Sequence, residues 1–211
     1  VRTRMKVVGE RIVRELNGVS CLPLDLVHGP KKSIACTRSF GRYIESLEEL
    51  EQAVSHYANR ASEKLREQNS TTSMVSVFIR TNYFKKNHNQ YYNSRSIATS
   101  EPVFDTFDIT KAALKGLKQI YKKGYKYAKA GVILYGIENA EFRKYDMFDD
   151  EKEVRDIKKR NLMKAFDQVN KKFGGKSLFP ATEGVRQGWH SKKELISKKY
   201  TTDWNELPEV S

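Results

Sequence analysis

In KKSIACTRSFGRYI, residues 31–44, hydroxyls and a guanidinium interleave with apolar side chains. Ile34 and Cys36 alternate with Ala35, Thr37 and Ser39, and Arg38 sits between the last two. Successive side chains of a strand point to opposite faces, so one face here suits a core and the other presents small hydroxyls. The pattern recurs in SMVSVFIRT, residues 73–81, where Val75, Val77 and Ile79 oppose Ser76, Phe78 and Arg80. It returns in SRSIAT, residues 94–99, with Ser96, and in KAGVILYGI, residues 129–137, approached by Lys126 and opened by Lys129. Hydroxyls and cations on such a face hydrogen-bond phosphate oxygens without reading a base. Strict alternation leaves Arg38 on the core side, so it needs a strand end or a bulge to emerge.

Bond-making chemistry is not encoded in the same way. His28, His56, His88 and His190 are scattered without metal-ligand spacing, and neither Cys21 nor Cys36 has a ligand partner nearby. Both cysteines lie among apolar neighbours, the usage expected of a reduced intracellular protein. FDTFD, residues 104–108, is expected to cap a helix, and MFDDE, residues 147–151, to open one, because carboxylates favour helix N-termini. Neither run converges with others into a two-metal phosphoryl-transfer set. No glycine-rich phosphate loop or nucleophile elbow occurs. The sequence therefore predicts no catalytic residue and no metal site.

Charge agrees with a polyanionic partner. The 211 residues carry 39 Lys and Arg against 26 Asp and Glu, a formal net charge of +13, and neutralising phosphates with such cations releases condensed counterions. The bland alternative is a lysine-rich solvated surface. For Lys111, Lys115, Lys118 and Lys122, which fall on one helical face, that alternative is preferred. Lys126 and Lys129 enter a strand and are better placed for phosphate. No apolar run reaches the roughly 20 residues needed to span a bilayer. The start, VRTRMKVV, carries neither a signal-peptide core nor an initiator Met, the pattern expected of a chain beginning inside a longer one.

These strands need elements to hold them. Met5, Val8, Ile12 and Leu16 predict a helix over 4–17 ended by Gly18, and the Pro/Gly-containing stretch 23–32 predicts a linker. Ser46 and Glu49 form a capping-box pattern ahead of Leu47, Leu50, Val54, Tyr57, Ala61 and Leu65, a helix reaching Gln68. Residues 82–93 read as a loop. A second helix is predicted over 109–122. Residues 33–136 thus run strand, helix, strand, strand, helix, strand, an α+β arrangement of two helices on one face of a four-stranded sheet. The other sheet face is left to solvent or a partner. Beyond residue 137 a helix is predicted over 151–173, with Ile157, Leu162, Phe166, Val169 and Phe173 on one side. Trp189, Tyr200 and Trp204 are candidate anchors for the tail or for a partner.

KSIACTRSFGRYI, VFIRTNYF, QYYNS and YKKGYKYAKAGVIL, in this order, resemble the little-finger domain of the UmuC subfamily of Y-family translesion DNA polymerases. RIVRELNGVSCLPL is similar to the end of that family's thumb. LMKAFDQVNKKFGG and SKKYTTDWNELPEV resemble its additional C-terminal region. The resemblance implies three parts: the end of the thumb and a linker over 1–29, the little finger over 30–136, and a small α/β C-terminal region over 137–211. It implies that the Mg2+-binding palm carboxylates precede everything present here, so this portion needs no cofactor and performs no catalysis itself. It implies a bacterial, cytoplasmic protein of SOS mutagenesis, at the nucleoid when active. Carried onto this chain, the primer–template DNA contacts are Thr37, Arg38, Ser39, Arg80, Ser96, Lys126 and Lys129. A sliding-clamp motif would fall at KYDMFDD, with Met147 and Phe148 as its plug and Lys144 where the family motif has Gln. A UmuD-type partner and the RecA filament are further implied partners. The competing readings are a protein-interaction module with incidental basic charge, and an RNA-binding sheet, for which Phe78 alone is a poor stacking platform.

Overall fold

The computed structural model describes residues 2–23, 29–85, 87–142, 150–174, 177–190 and 196–207. The chain divides into two compact units, Val1–Pro30 and Lys31–Ser211. In the first, α1 (Arg2–Leu16) is interrupted at Lys6, where φ is 56°. Its predicted stripe of Met5, Val8, Ile12 and Leu16 is present and exposed. Gly18 ends the helix as expected. At φ 81° it adopts the left-handed conformation, its N–H bonding the Glu15 carbonyl while the Val19 N–H reaches that of Arg14, the pair of bonds that defines a Schellman cap.

The second unit is built on β1 (Ile34–Ile44), α2 (Leu47–Glu67), β2 (Ser70–Thr81), β3 (Tyr92–Val103), α3 (Thr106–Ile120) and β4 (Tyr127–Asn139). The strands form one antiparallel sheet in the order β1-β4-β2-β3. β4 separates the parallel pair β1 and β2, and β2 separates β3 from β4, so each helical crossover straddles an inserted strand. Ile34, Cys36, Val75, Val77, Ile79, Val132 and Leu134 form one core with Leu50, Val54, Tyr57 and Leu65 of α2 and Ile109 and Leu117 of α3. The helices therefore share one face of the sheet. Gly116 of α3 lies close against the sheet, where a Cβ would stand 2.8 Å from Val77 Cγ1.

Helix entry differs between the two. Asp105 caps α3, its carboxylate accepting from the amides of Phe107 and Asp108. Ser46 occupies the N-cap position of α2 but makes no side-chain cap bond. Glu49, the expected reciprocal partner, is drawn instead to the Arg42 guanidinium. The turn from α3 to β4 is closed by Tyr127, whose hydroxyl bonds the Lys122 amide at 3.0 Å and its carbonyl at 2.8 Å. Burial pushes the Tyr127 phenol up to about 12.

Beyond β4, α4 (Asp150–Phe173) docks through polar contacts rather than its apolar stripe. Arg66 forks onto Asp167 with two 2.7 Å bonds and also donates to Thr106 Oγ1 and the Phe104 carbonyl. Lys159 meets Asp108 at 2.6 Å, and Met163 is buried. Of the apolar side chains that periodicity puts on one side, Ile157, Leu162 and Phe173 are exposed and Phe166 and Val169 are half-buried. The docked side is set by where Arg66 and Asp108 stand on the sheet domain, information that helical periodicity does not carry. Among the described residues, only helices and irregular chain follow β4, and the expected strand component of the C-terminal region is not seen there.

Trp189 is the tail's packing anchor, buried against Tyr57 and His56. Its carbonyl accepts from the Gly41 N–H. Glu183, also buried, bonds His56 Nδ1 and Asn59 Nδ2, each at 2.7 Å. Trp204 and Tyr200 are exposed.

The two thiols differ. Burial raises the Cys36 pKa, opposed more weakly by Lys64, Arg60 and Arg38, whereas Cys21 is only half-buried. Alkylation proceeds through the thiolate, so Cys21 is expected to react with iodoacetamide at least ~10-fold faster than Cys36 at pH 8. Peptide mass spectrometry over a time course measures this, and equal rates would contradict the buried placement of Cys36.

Candidate nucleic-acid interface

Strand register sorts the helix-free face into rows. Ser39, Lys129, Arg80 and Tyr92 pair successively across β1, β4, β2 and β3. The next row is Thr37, Gly131, Phe78 and Ser94, and the third is Ala35, Ile133, Ser76 and Ser96. Tyr135, Met74 and Ala98 begin a fourth. With strands about 4.8 Å apart, a four-residue row spans about 14 Å, and rows on one face follow every ~6.7 Å. None of these rows contains a carboxylate. Ala35, Ser39, Met74, Tyr92, Ser96 and Tyr135 are exposed, so this face is not sealed by a packing layer.

The sequence-predicted residues divide. Thr37, Ser39, Ser76, Arg80, Ser96 and Lys129 share the open face by register, and of these Ser76 is buried among its neighbours. Lys129 and Arg80 are direct cross-strand partners, giving two adjacent cations at one end of the sheet. Thr37 and Phe78 converge over Gly131, where a Cβ would lie 2.4 Å from Thr37 Cγ2 and 2.6 Å from Phe78 Cε1. A residue larger than glycine would force these two apart.

Arg38 does not join them. The β1–β4 register runs unbroken from Ile34 to Ser39, and the irregularity comes only after Ser39. Arg38 therefore stays in the row of Ala130, Ile79 and Asn93 on the helix side. There it acts electrostatically on Cys36 and on Tyr57, whose phenol burial raises strongly. Lys126 is exposed just ahead of β4, outside the paired register that would assign it a face. Met147 and Phe148 lie outside the described residues.

Two aromatics escaped the sequence reading. Tyr92 and Tyr135 share the open face with Phe78, and the Phe78 and Tyr92 rings lie 6.3 Å apart. Alternation from Lys129 through Gly131 and Ile133 was enough to place Tyr135. Tyr92 was hidden because β3 starts two residues before the predicted strand. Among the described residues, no group of three or more His, Cys, Asp or Glu is arranged to hold a metal. No helix of the described residues is long and apolar enough to cross a membrane.

The sequence profile of the impB/mucB/samB family C-terminal domain matches residues 31–147, which contain the whole sheet and both of its helices. A second profile, a domain of unknown function, matches residues 160–210. Protein UmuC of Salmonella typhimurium strain LT2 is 38% identical over 210 residues, covering 100% of this chain and 49% of that protein. Proteins ImpB and SamB of Salmonella typhimurium are 36% and 38% identical, each covering 99% of this chain and 48% of the relative. The chain thus spans about half the length of these curated relatives. With an unbroken match over its entire sheet domain, this chain belongs to the impB/mucB/samB family.

Proposed function

We propose that this chain is the DNA-gripping part of a UmuC-type translesion DNA polymerase acting in SOS mutagenesis. The open sheet face lies along the phosphate backbone of primer–template DNA. The observation that carries this reading is the acid-free set of rows in which Lys129 pairs with Arg80 and Thr37, Ser39 and Ser96 supply hydroxyls. Cations draw in the polyanion, and hydroxyls fix the register of phosphates. Grip on the backbone tolerates a damaged base, because the lesion alters base edges and leaves phosphate chemistry intact. Arg38, on the other side of the sheet, is left out of this grip, and Lys126 flanks it.

Catalysis and its Mg2+ belong to a palm outside residues 1–211. The region beyond Asn139 takes polymerase partners, with the sliding clamp, a UmuD-type protein and the RecA filament as candidates. Its exposed Val154, Ile157, Leu162 and Trp204 offer apolar surface for such contacts. The protein is bacterial and works at the nucleoid.

Fluorescence anisotropy with the 211-residue chain and duplexes of unrelated sequence tests the grip. Affinity is expected to be independent of sequence, with log K falling linearly in log salt by about 0.9 for each phosphate neutralised. A flat salt response would sink it.

A further inference from the structure

At the Lys129–Arg80 end, the open face runs into a cavity of about 530 Å3 lined by Ser39, Arg80, Lys129, Tyr43, Tyr83 and Phe84. Phe84 is 95% exposed, the most exposed aromatic side chain among the described residues. Its backbone is hydrogen-bonded to its neighbours. The Phe84 N–H donates to Asn82 Oδ1 at 3.0 Å, and Asn82 Nδ2 donates to the Tyr43 hydroxyl. The Gln90 amide lies 3.0–3.1 Å from the carbonyls of Asn82, Lys85 and His88, tying both sides of the loop together. Beside Phe84, the Tyr83 ring carries the Arg80 guanidinium 5.2 Å from its centroid.

A large aromatic ring presented to water from a hydrogen-bonded backbone, next to two cations, has the make-up of a stacking platform. Every base offers a π-face, so stacking adds affinity without reading sequence. Bases inside a duplex already have both faces covered, and only an unpaired base can be shared with a protein ring. We infer that Phe84, flanked by Tyr83, stacks on an unpaired nucleobase of the DNA whose phosphates Arg80 and Lys129 hold. The cavity then takes the single-stranded nucleotide adjoining the gripped duplex. This rests on the backbone-grip reading.

The test uses the 211-residue chain and one hairpin duplex bearing a four-thymidine overhang, or the same overhang with four abasic sites. Phosphates are equal in the two, and only the base faces differ. The thymidine overhang is expected to bind about tenfold tighter, within the range of ~1–3 kcal/mol per stacked base. Phe84→Ala is expected to reduce that ratio below twofold, and Phe84→Trp to keep it. Equal binding of the two overhangs by the unaltered chain, or a ratio that survives Phe84→Ala, overturns the inference. A salt-independent affinity for the blunt hairpin would instead count against the grip, while the overhang ratio still reports on Phe84.

Discussion

Replacing Arg80 and Lys129 together by glutamine is expected to weaken duplex DNA binding roughly 100-fold at low salt. A hydrogen bond to a charged group is worth about 1.5–3 kcal/mol, so losing two removes about 3 kcal/mol or more. The log–log salt slope should fall by about 1.8, since each phosphate neutralised contributes about 0.9. Glutamine is shorter than either residue but keeps a polar side chain on the exposed sheet face, so the sheet should stay folded, which a thermal melt checks. Lys111→Gln with Lys115→Gln removes the same charge from exposed positions on α3, on the opposite side of the sheet. That control is expected to cost less than ~3-fold, because separation and salt screen its effect on a ligand across the sheet. Equal losses in the two double variants would mean that net charge, not the open face, attracts DNA. The protein-interaction reading would then gain.

The second large effect concerns the tail. Glu183→Ala is expected to destabilise the sheet domain by about 3 kcal/mol, because it strips a buried carboxylate from two partners and leaves them dry. For a unit of this size that corresponds to a thermal midpoint lowered by roughly 6–12 °C. His56 and Asn59 of α2 face Glu183 directly, and the Trp189 carbonyl holds the Gly41 amide. Two local readouts follow from that geometry. Hydrogen exchange at the Gly41 amide should accelerate, and Trp189 emission should shift to the red in a Trp204→Phe background. Glu183→Gln keeps an acceptor for Asn59 and should lose less. If Glu183→Ala left both the midpoint and the Gly41 amide unchanged, residues 181–190 would not be an integral part of the domain. The same contact bears on deletion experiments: removing residues 137–211 would bare α2, so a resulting loss of DNA binding would not assign that activity to the tail.

Much of the open sheet face was legible from residue order, because period-two alternation is a local property of an extended chain. Ile34 and Cys36, Val75 to Ile79, and Lys129 each reveal their face from a few neighbours, and Asp105 announces the start of α3 by its side chain. Local pattern failed where a residue had a stronger partner elsewhere. Ser46 and Glu49 match a capping box, yet Arg42, distant in the pattern but near in space, takes the Glu49 carboxylate. The apolar stripe of α4 did not reveal how the helix is held, because its Asp167 and Lys159 pair with Arg66 and Asp108, far away along the chain.

The sequence by itself determined the alternating strands, the amphipathic helices α2 and α3 and the basic excess, since each follows from side-chain chemistry at fixed local spacing. Only the tertiary structure decided that Lys129 stands beside Arg80, that no bulge brings Arg38 over to the open face, that Tyr92 joins Phe78, and that Glu183 closes on His56. Those outcomes depend on inter-strand register and on contacts between residues tens of positions apart. Such pairings are selected by burial and hydrogen bonding summed over the whole domain, which no short window of sequence contains.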